Sequence, residues 1–254
     1  MKLYFDHICG QQKNTDFIHT LVSATFEPDE YDKALNDGWS PSDIWYNNDT
    51  NFKKNNEIIW YQSRQTRINL SKYEENRSER KARKKAKIYE AEAKISTEPD
   101  FNKLYSIYLK YVKYRGFKDT LSRNEFIKTY VNGNNHYILY GDCAFSVVEI
   151  VGKSLICHQF CWDYEEPSIG LGKYSTYAEI DFAISKNLEN VYLGPSYESC
   201  SIYKSTYSGF EFWTGRIWSD NVELYENSLR NDEKLNSVKD IVDNYDNYFE
   251  SFSV

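Results

Sequence analysis

The sequence has few residues that interrupt or crosslink a chain, with 5 prolines, 11 glycines and 5 cysteines among 254 residues. It also lacks any apolar run close to the roughly 20 residues that a membrane-spanning helix needs. Its opening stretch, MKLYFDHICGQQKN, has charged and polar side chains where a signal peptide requires an unbroken apolar segment. We therefore expect a soluble, cytoplasmic protein with no membrane partner.

Cysteine is too scarce and too scattered to predict a disulfide framework, so we expect reduced thiols. Only Cys157 and Cys161, in the segment CHQFC, are close to each other in sequence. His158 lies between them, but in an alternating strand it points to the opposite face from both cysteines. The spacing favours two small apolar side chains in a strand over a zinc site.

Positive charge is in deficit overall, since 31 Lys and Arg face 38 Asp and Glu and the formal net charge is -7. This balance argues against a protein that coats nucleic acid nonspecifically. Acids are concentrated in residues 220–254, where nine acidic residues face three basic ones. In contrast, RSERKARKKAK (77–87) is strongly basic and free of Pro and Gly. It predicts a helix that is either a solvated connector or a surface for RNA phosphates.

Large apolar side chains are abundant, with 41% hydrophobic and 17% aromatic residues, which excludes a disordered or fibrous chain. The length fits one large domain or two of ordinary size. We expect four regions, which are an N-terminal aminoacyltransferase-like region (1–75), a basic helical connector (76–95), a C-terminal acetyltransferase-like domain (96–216) and an acidic tail (217–254). We expect the tail to be a peripheral helix or flexible extension, so that truncation after Asp220 leaves activity intact.

The pattern of the third region predicts a mixed α/β domain. Residues 101–116 have a helical period that ends at Gly116, and Ser122 with Glu125 forms a capping box for a second helix. Strand-like runs follow at 136–141, 143–151 and 154–164, then a helix after Gly170 and a short buried strand at 191–194. This order is typical of an acetyltransferase-type (GNAT-like) α/β domain.

Two glycines, Gly170 and Gly172, lie between a predicted strand and a predicted helix. Glycines at such a turn let backbone N–H groups approach a ligand, and the helix dipole favours an anion. Acetyl-CoA-dependent members of the fold usually have Gln or Arg three positions before the first glycine. Here that position is Pro167, which disfavours a site for acyl-CoA.

Three ordered blocks, IGLGKYSTYAEIDFAI, VYLGPSYESC and YKSTY, resemble the C-terminal domain of arginyl-tRNA-protein transferases and their bacterial leucyl-transferring relatives. That family has "SLGxYSxLxEI", then "YYLGYYIxSC", then "YKxxY". The N-terminal third is similar in order too, with CGQQ (9–12), YDKALNDGWSPSDIWY (31–46) and TRINLSKYEENRSERKARKK (66–85). The resemblance covers about residues 5–215. It implies two acetyltransferase-like halves that move an aminoacyl group from tRNA to the N-terminal amine of a protein, as in the N-degron pathway.

The sequence departs from the family at its cysteines and arginines. Of the motif cysteines that bind a metal or an iron–sulfur cluster in many relatives, Cys9 is present, but Gln12 and the pair Trp60-Tyr61 replace others. A cluster needs several thiolates, so we expect no cofactor and no metal. Ser40-Pro41 replaces an Arg-Arg pair that could hold tRNA or an acidic acceptor.

The resemblance also implies where the site lies. An aminoacyl ester is already activated, so attack by an amine needs positioning, a proton acceptor and oxyanion donors more than a protein nucleophile. The candidates for proton handling or ester orientation are Tyr174, Tyr177, Glu179 and Tyr203. The candidates for substrate binding are Arg67, Gly170, Gly172, Lys204 and Tyr207. The candidates for tRNA binding are Arg77, Arg80, Lys81, Arg83, Lys84 and Lys85.

Each candidate also has a structural alternative. Tyr177 equally suits a core position, Glu179 a solvated helical charge and Lys204 a surface lysine. Two other functions stay open at this point. One is an acyltransferase that uses acyl-CoA or a small-molecule acceptor through the same fold, and the other is a divergent binding protein without catalysis.

Overall fold

The computed structural model describes residues 2–12, 15–41, 45–55, 57–62, 64–117, 120–131, 133–164, 170–196 and 199–232, and for residues 2–22 and 45–62 it describes the backbone alone. The strands are β1 (Lys2–Gln12), β2 (Thr15–Thr25), β3 (Trp45–Asn55), β4 (Glu57–Gln62), β5 (Arg64–Asn69), β6 (Ala93–Ser96), β7 (Asn135–Tyr140), β8 (Ala144–Val151), β9 (Ser154–Trp162), β10 (Asn190–Ser196), β11 (Phe210–Trp213) and β12 (Trp218–Ser219). The α-helices are α1 (Tyr31–Asn36), α2 (Arg77–Ile88), α3 (Phe101–Arg115), α4 (Arg123–Tyr130), α5 (Leu171–Ser185) and α6 (Val222–Asp232).

The chain divides into two compact units. The first contains Met1–Asn69 and Leu193–Val254, and the second contains Leu70–Tyr192. The basic segment predicted as a connector, residues 76–95, lies inside the second unit. The blocks VYLGPSYESC and YKSTY lie largely in the first unit, although the sequence groups them with the preceding helix.

In the second unit, β6, β7, β8 and β9 pair antiparallel in that order. The start of β10 then pairs parallel with β9, through Asn190, Val191 and Tyr192. The chain passes through β6, α3, α4, three antiparallel strands, α5 and the parallel strand β10. This order confirms the predicted acetyltransferase-type α/β fold, and the presence of two such halves stays a prediction.

Helices α3 and α4 form as predicted, and their caps explain where they start and stop. The carboxylate of Asp100 accepts hydrogen bonds from the first backbone amides of α3, and Gly116 ends the helix with φ 67°. Ser122 and Glu125 form the reciprocal capping box of α4. Both helices bury an aromatic and aliphatic face against one side of the sheet, in a core of Leu104, Ile107, Tyr108, Val112, Phe126, Tyr137, Phe145, Val147 and Cys161.

In the first unit, β1, β2, β3 and β4 form an antiparallel sheet in that order, and β11 pairs antiparallel with both β5 and β12. The start of the acidic tail belongs to this unit's core. Tyr225 of α6 is 0% exposed and packs on Phe210 and Phe212. Its hydroxyl is hydrogen-bonded to Ser196 Oγ and donates to the backbone carbonyl oxygen of Ser201. A boundary at Asp220 therefore cuts into folded structure. Residues 222–232 form a helix, one of the two expected alternatives, but the burial of Tyr225 places this helix in the core of the unit and not at its periphery. Residues 233–254 lie outside the described chain.

A search of the described helices finds no span both long and apolar enough to cross a bilayer.

Candidate functional site

A buried glutamate marks the centre of the second unit. Glu179 of α5 is 4% exposed, and its two carboxylate oxygens have different donors. The hydroxyl of Ser146 donates to Oε1 at 2.7 Å, and the thiol of Cys157 donates to Oε2 at 3.4 Å. Burial raises the pKa of Glu179 to about 7, and the two hydrogen bonds partly offset that rise. The carboxyl group can therefore gain or lose a proton near neutral pH.

Glu179 is buried because α5 is covered on nearly all sides. Ten of its fifteen residues are buried, among them Tyr177, Ile180 and Ala183. A helix that is apolar around most of its circumference lies in a core instead of at the surface. The alternative of a solvated helical charge at position 179 does not hold in this structure.

A β-bulge in β9 places Cys157 beside this glutamate. The β8–β9 register pairs Val147 with Gln159 but Val148 with Cys157, so His158 is an extra residue in β9. A bulge reverses the alternation of side chains beyond it. Cys157 faces α5, whereas Cys161 is buried in the core with α3 and α4. The prediction that both cysteines share a face is wrong, because the sequence pattern assumed an uninterrupted strand.

The bulge also coincides with the end of strand pairing. In the register of β9 and β10, the last pair is Ile156 with Tyr192. Cys157, the next residue of β9, is the first of that strand beyond the parallel pairing. Because carboxyl ends of parallel strands are the usual ligand-binding edge of an α/β sheet, the buried carboxyl is near an edge suited to substrate.

Tyr140 and Ser146 extend the polar cluster inside the second unit. The hydroxyl of Tyr140 lies 3.0 Å from Ser146 Oγ and 3.3 Å from the carbonyl oxygen of Ser175. Burial raises the pKa of Tyr140, and the nearby Glu179 adds to the rise. Tyr140, Ser146 and Glu179 form a continuous chain of polar side chains in an apolar layer. Sequence reasoning missed Tyr140, Ser146 and Cys157, although a serine at the middle of the apolar run AFSVVEIV is a visible signal for Ser146.

The predicted tyrosines of α5 have separate surroundings. Tyr174 accepts a hydrogen bond from the backbone N–H of Ala93 at 3.2 Å, and its ring meets the edge of Tyr140 at 5.8 Å. Tyr177 is 0% exposed and faces the start of α2, where Ser78 and Asn76 contact its hydroxyl. Burial raises the pKa of Tyr177. The structure thus brings Tyr174 near the Glu179 cluster and Tyr177 to α2.

The two glycines at the start of α5 differ in their surroundings. Gly170 has φ +76°, and a Cβ built on it meets no atom within 4 Å. A Cβ on Gly172 would lie 2.7 Å from the ring of Trp162, so this glycine allows the helix to pack on β9. Gly170 is exposed and meets no described atom there, whereas Gly172 is required by packing.

The remaining predicted substrate residues lie in the first unit. Lys204 is 7% exposed, and its ammonium group donates to the carbonyl oxygens of Leu193 at 2.9 Å, Gly194 at 3.2 Å and Pro195 at 2.8 Å. These bonds occupy the three N–H donors of a lysine. Tyr207 is buried and Tyr203 is 54% exposed. Lys204 holds the end of β10 and is not the surface lysine of the structural alternative.

Arg67 is also held by side chains of its own unit. Its guanidinium donates to Glu211 at 2.8 Å and to Asn36 at 3.0 Å. The group also lies 4.1 Å from the centre of the Trp218 ring. With Arg67 and Glu211 both buried, the arginine is held by an internal carboxylate, and that pairing argues against capture of an acidic acceptor.

The predicted basic helix forms as α2, with Asn76 as its N-cap. Arg77, Arg80, Lys81, Lys84 and Lys85 are exposed. Arg83 differs, because it forms ion pairs with Glu79 on its own helix and with Asp181 on α5. The helix is thus anchored to α5 through Arg83 and presents its other basic side chains to solvent.

Within the described residues, no group of three or more His, Cys, Asp or Glu side chains is arranged to hold a metal ion. The side chains of Cys9 and Gln12, and those of Trp60 and Tyr61, lie outside the described part of the chain.

Comparison with known proteins gives a match to one protein family. Residues 100–214 match the family model described as "Arginine-tRNA-protein transferase, C terminus". No curated protein matches the chain.

Similar solved structures share little sequence. One is the C-terminal domain of a protein described as a lysylphosphatidylglycerol synthetase from Agrobacterium fabrum, with TM-score 0.45 and 12% identity over 56% of this chain and 49% of that chain. A second is L-PGS from Bacillus licheniformis, with TM-score 0.43 and 8% identity over 54% of this chain and 46% of that chain. A third is the ribosomal-protein-S18-alanine N-acetyltransferase from Escherichia coli, with TM-score 0.31 and 17% identity over 38% of this chain and 63% of that chain. This chain spans about half the length of the first two.

Proposed function

We propose that this chain, whose residues 100–214 match the family model of the arginine-tRNA-protein transferase C terminus, moves an amino acid from aminoacyl-tRNA to an amine acceptor, namely a protein N-terminus. The observation that carries the proposal is the buried carboxyl of Glu179, with a pKa of about 7, beside Cys157 at the end of the β9–β10 pairing.

The chemistry needs a proton acceptor of this kind. An amine that attacks an aminoacyl ester loses a proton as the amide forms, and the tRNA 3′ oxygen gains one as it leaves. A group whose pKa is near the working pH can accept and return that proton efficiently. Glu179 meets this condition, and the half-buried thiol of Cys157 links its carboxyl to the strand edge.

The proton reaches Glu179 by way of its hydrogen-bonding partners. At 4% exposure, the carboxyl contacts little solvent directly. Ser146 and Cys157 donate hydrogen bonds to the carboxylate, and a proton can pass to Glu179 through them. Tyr140 fixes Ser146 from the other side, at 3.0 Å, so the donor to Oε1 stays in place.

Two features of the second unit support tRNA as the donor of the aminoacyl group. Gly170 is exposed at the N-terminus of α5, and a helix N-terminus favours an anionic group such as a phosphate. The exposed cations of α2, among them Lys81 and Lys84, suit contacts with the tRNA backbone. Replacing both lysines with Gln should flatten the salt dependence of tRNA binding by roughly 0.7 to 0.9 per lost contact.

A transfer assay with two kinds of donor tests the proposal. Purified protein is incubated with labelled arginyl- or leucyl-tRNA, or with labelled acetyl-CoA, in the presence of peptides that differ at the N-terminal residue. We expect label on the peptide amine from a charged tRNA and none from acetyl-CoA. Acetylated peptide without aminoacyl transfer would assign the protein to the acyl-CoA-dependent class. Binding of tRNA with no transfer to any acceptor would leave a noncatalytic protein.

A further inference from the structure

A second feature of the second unit is a cavity of about 380 Å³ at the ends of α3 and β9. It is lined by Leu109, Lys110, Lys113, Tyr114, Asp163 and Tyr164. Asp163 faces α3 through its ion pair with Lys110, whereas Cys157 faces Glu179 on α5, and six residues, roughly 20 Å of extended chain, separate them along the sequence. The cavity lining includes none of the predicted site residues.

One wall of the cavity is a stack of aromatic rings. Tyr114 and Tyr164 lie face to face, with ring centres 3.5 Å apart and planes 9° apart. Tyr111 and Trp162 support Tyr164 from its other sides, at 6.0 Å and 4.6 Å between ring centres. Tyr114 is nevertheless 65% exposed, so the stack presents an accessible aromatic surface to solvent. Such a surface suits another planar ring.

The charge around this stack is positive. Lys110 is ion-paired with Asp163, which neutralises the one acid in the lining. Lys113 is exposed beside Tyr114, and the guanidinium of Arg115 contacts the Tyr164 hydroxyl. Three cations and one carboxylate therefore surround the rings. A planar aromatic surface next to excess cations is the combination that binds single-stranded nucleic acid, with a base on the ring and phosphates at the cations.

We propose that this cavity holds an unpaired nucleotide from the single-stranded 3′ end of tRNA, with the base stacked on Tyr114 and a phosphate at Lys113. The proposal rests on the proposed function, which makes tRNA the donor. The six residues from Cys157 to Asp163, roughly 20 Å of extended chain, leave space for further nucleotides before the aminoacyl ester. Stacking on a tyrosine reads no particular base, so the cavity fits an end that all tRNAs share.

Binding of uncharged RNA hairpins tests this inference apart from catalysis. One labelled hairpin has a single-stranded CCA overhang and the other has the same stem with a blunt end, and fluorescence anisotropy gives both affinities. We expect the wild-type protein to prefer the overhang. Tyr114→Ala should weaken overhang binding about 5- to 100-fold and remove the preference, while Tyr114→Phe keeps both.

The lysine is tested by salt dependence. Lys113→Ala should lower the salt slope for the overhang hairpin by roughly 0.7, the value for one phosphate contact on a single strand. Lys128→Ala, which removes an exposed lysine of α4 away from the cavity, should leave the slope unchanged. Thermal unfolding of each variant confirms that the fold is retained.

Three results would overturn the inference. The first is equal affinity of the wild-type protein for overhang and blunt hairpins. The second is overhang binding that Tyr114→Ala leaves intact. Tyr114-dependent binding of an acidic peptide without overhang preference would also overturn it, in favour of a peptide site. A protein that transfers no amino acid but binds the overhang through Tyr114 would refute the proposed function and leave the cavity assignment standing.

Discussion

The thiol of Cys157 lies 3.4 Å from carboxylate oxygen Oε2 of Glu179, although the two residues are on different elements, β9 and α5. The contact depends on the extra residue at His158, which turns Cys157 toward the helix. It also depends on the burial of α5, which keeps the carboxyl of Glu179 away from water and raises its pKa. A bulge and a buried helical acid together produce a carboxyl group suited to proton transfer near neutral pH.

The hydrogen bond from Ser146 should lower the pKa of the Glu179 carboxyl. Without this bond to Oε1, the pKa of Glu179 in Ser146→Ala should move upward from about 7. The pH at which transfer becomes half-maximal should rise with it. The measurement is the single-turnover rate across pH 5.5 to 9 for both proteins. An unchanged midpoint would show that the carboxyl of Glu179 does not control the rate.

Stability should depend on pH through the same group. The folded-state pKa of Glu179 is about 7, above the value of 4.5 for an unperturbed glutamate. Between these values the folded state holds a proton that the unfolded state has lost, so the free energy of unfolding falls as pH rises and levels off above 7. The fall from this group is about 3 kcal/mol at most.

Glu179→Gln should remove this contribution to the pH dependence of unfolding. Urea denaturation at pH 5 and pH 8 measures the effect. Glu189→Gln, which changes an exposed glutamate paired with Lys153, is the matched control and should retain the wild-type dependence. A Glu179→Gln protein whose stability follows the wild-type pH profile would contradict the raised pKa.

Lys204 should stabilise the fold and not bind substrate. Lys204→Met keeps an apolar side chain of similar length but removes the ammonium donor from the carbonyl oxygens of Leu193, Gly194 and Pro195, of which Gly194 still accepts from the Thr66 hydroxyl. We expect the free energy of unfolding to fall by about 2 to 4 kcal/mol. Lys128→Met should cost much less because Lys128 is exposed. A fully stable Lys204→Met protein that has lost transfer would instead assign Lys204 to substrate binding.

Two truncations should show whether helix α6 stabilises the first unit. A chain ending after Asp220 loses Tyr225 and Leu229, both 0% exposed, and should unfold at a lower temperature or fail to fold. A chain ending after Asp232 keeps both residues and should unfold at a higher temperature than the shorter chain. Tyr225→Phe, which removes the hydroxyl bonded to Ser196 and Ser201, should cost about 1 to 2 kcal/mol. Equal melting temperatures for the two truncations would contradict this role.

Much of the second unit follows from local sequence signals. The Asp100 and Ser122 caps, Gly116 and the alternating apolar runs predict α3, α4 and the three antiparallel strands, because caps and side-chain periodicity act over a few residues. The helix after Gly170 was predicted for the same reason.

The site depends on contacts that are distant in sequence. The bulge at His158 has no local signal in CHQFC, since alternation through the segment is equally compatible with a regular strand. The inward direction of Glu179 depends on α5 being covered, which a single helix pattern does not reveal. Lys204 and Arg67 are at positions that match the family motifs. Their contacts with Gly194 and Glu211 are known only from the arrangement of β5, β10 and β11.

The most direct test of the account is the single-turnover rate of amino acid transfer from charged tRNA, measured against pH for wild-type, Glu179→Gln and Glu189→Gln proteins. We predict a rise in the wild-type rate through pH 7 in addition to the rise from the acceptor amine, and the same profile for Glu189→Gln. Glu179→Gln should be slower by about 100-fold or more and should lose the inflection near pH 7. A folded Glu179→Gln protein with the wild-type rate and profile would contradict the assignment of Glu179 as the proton acceptor.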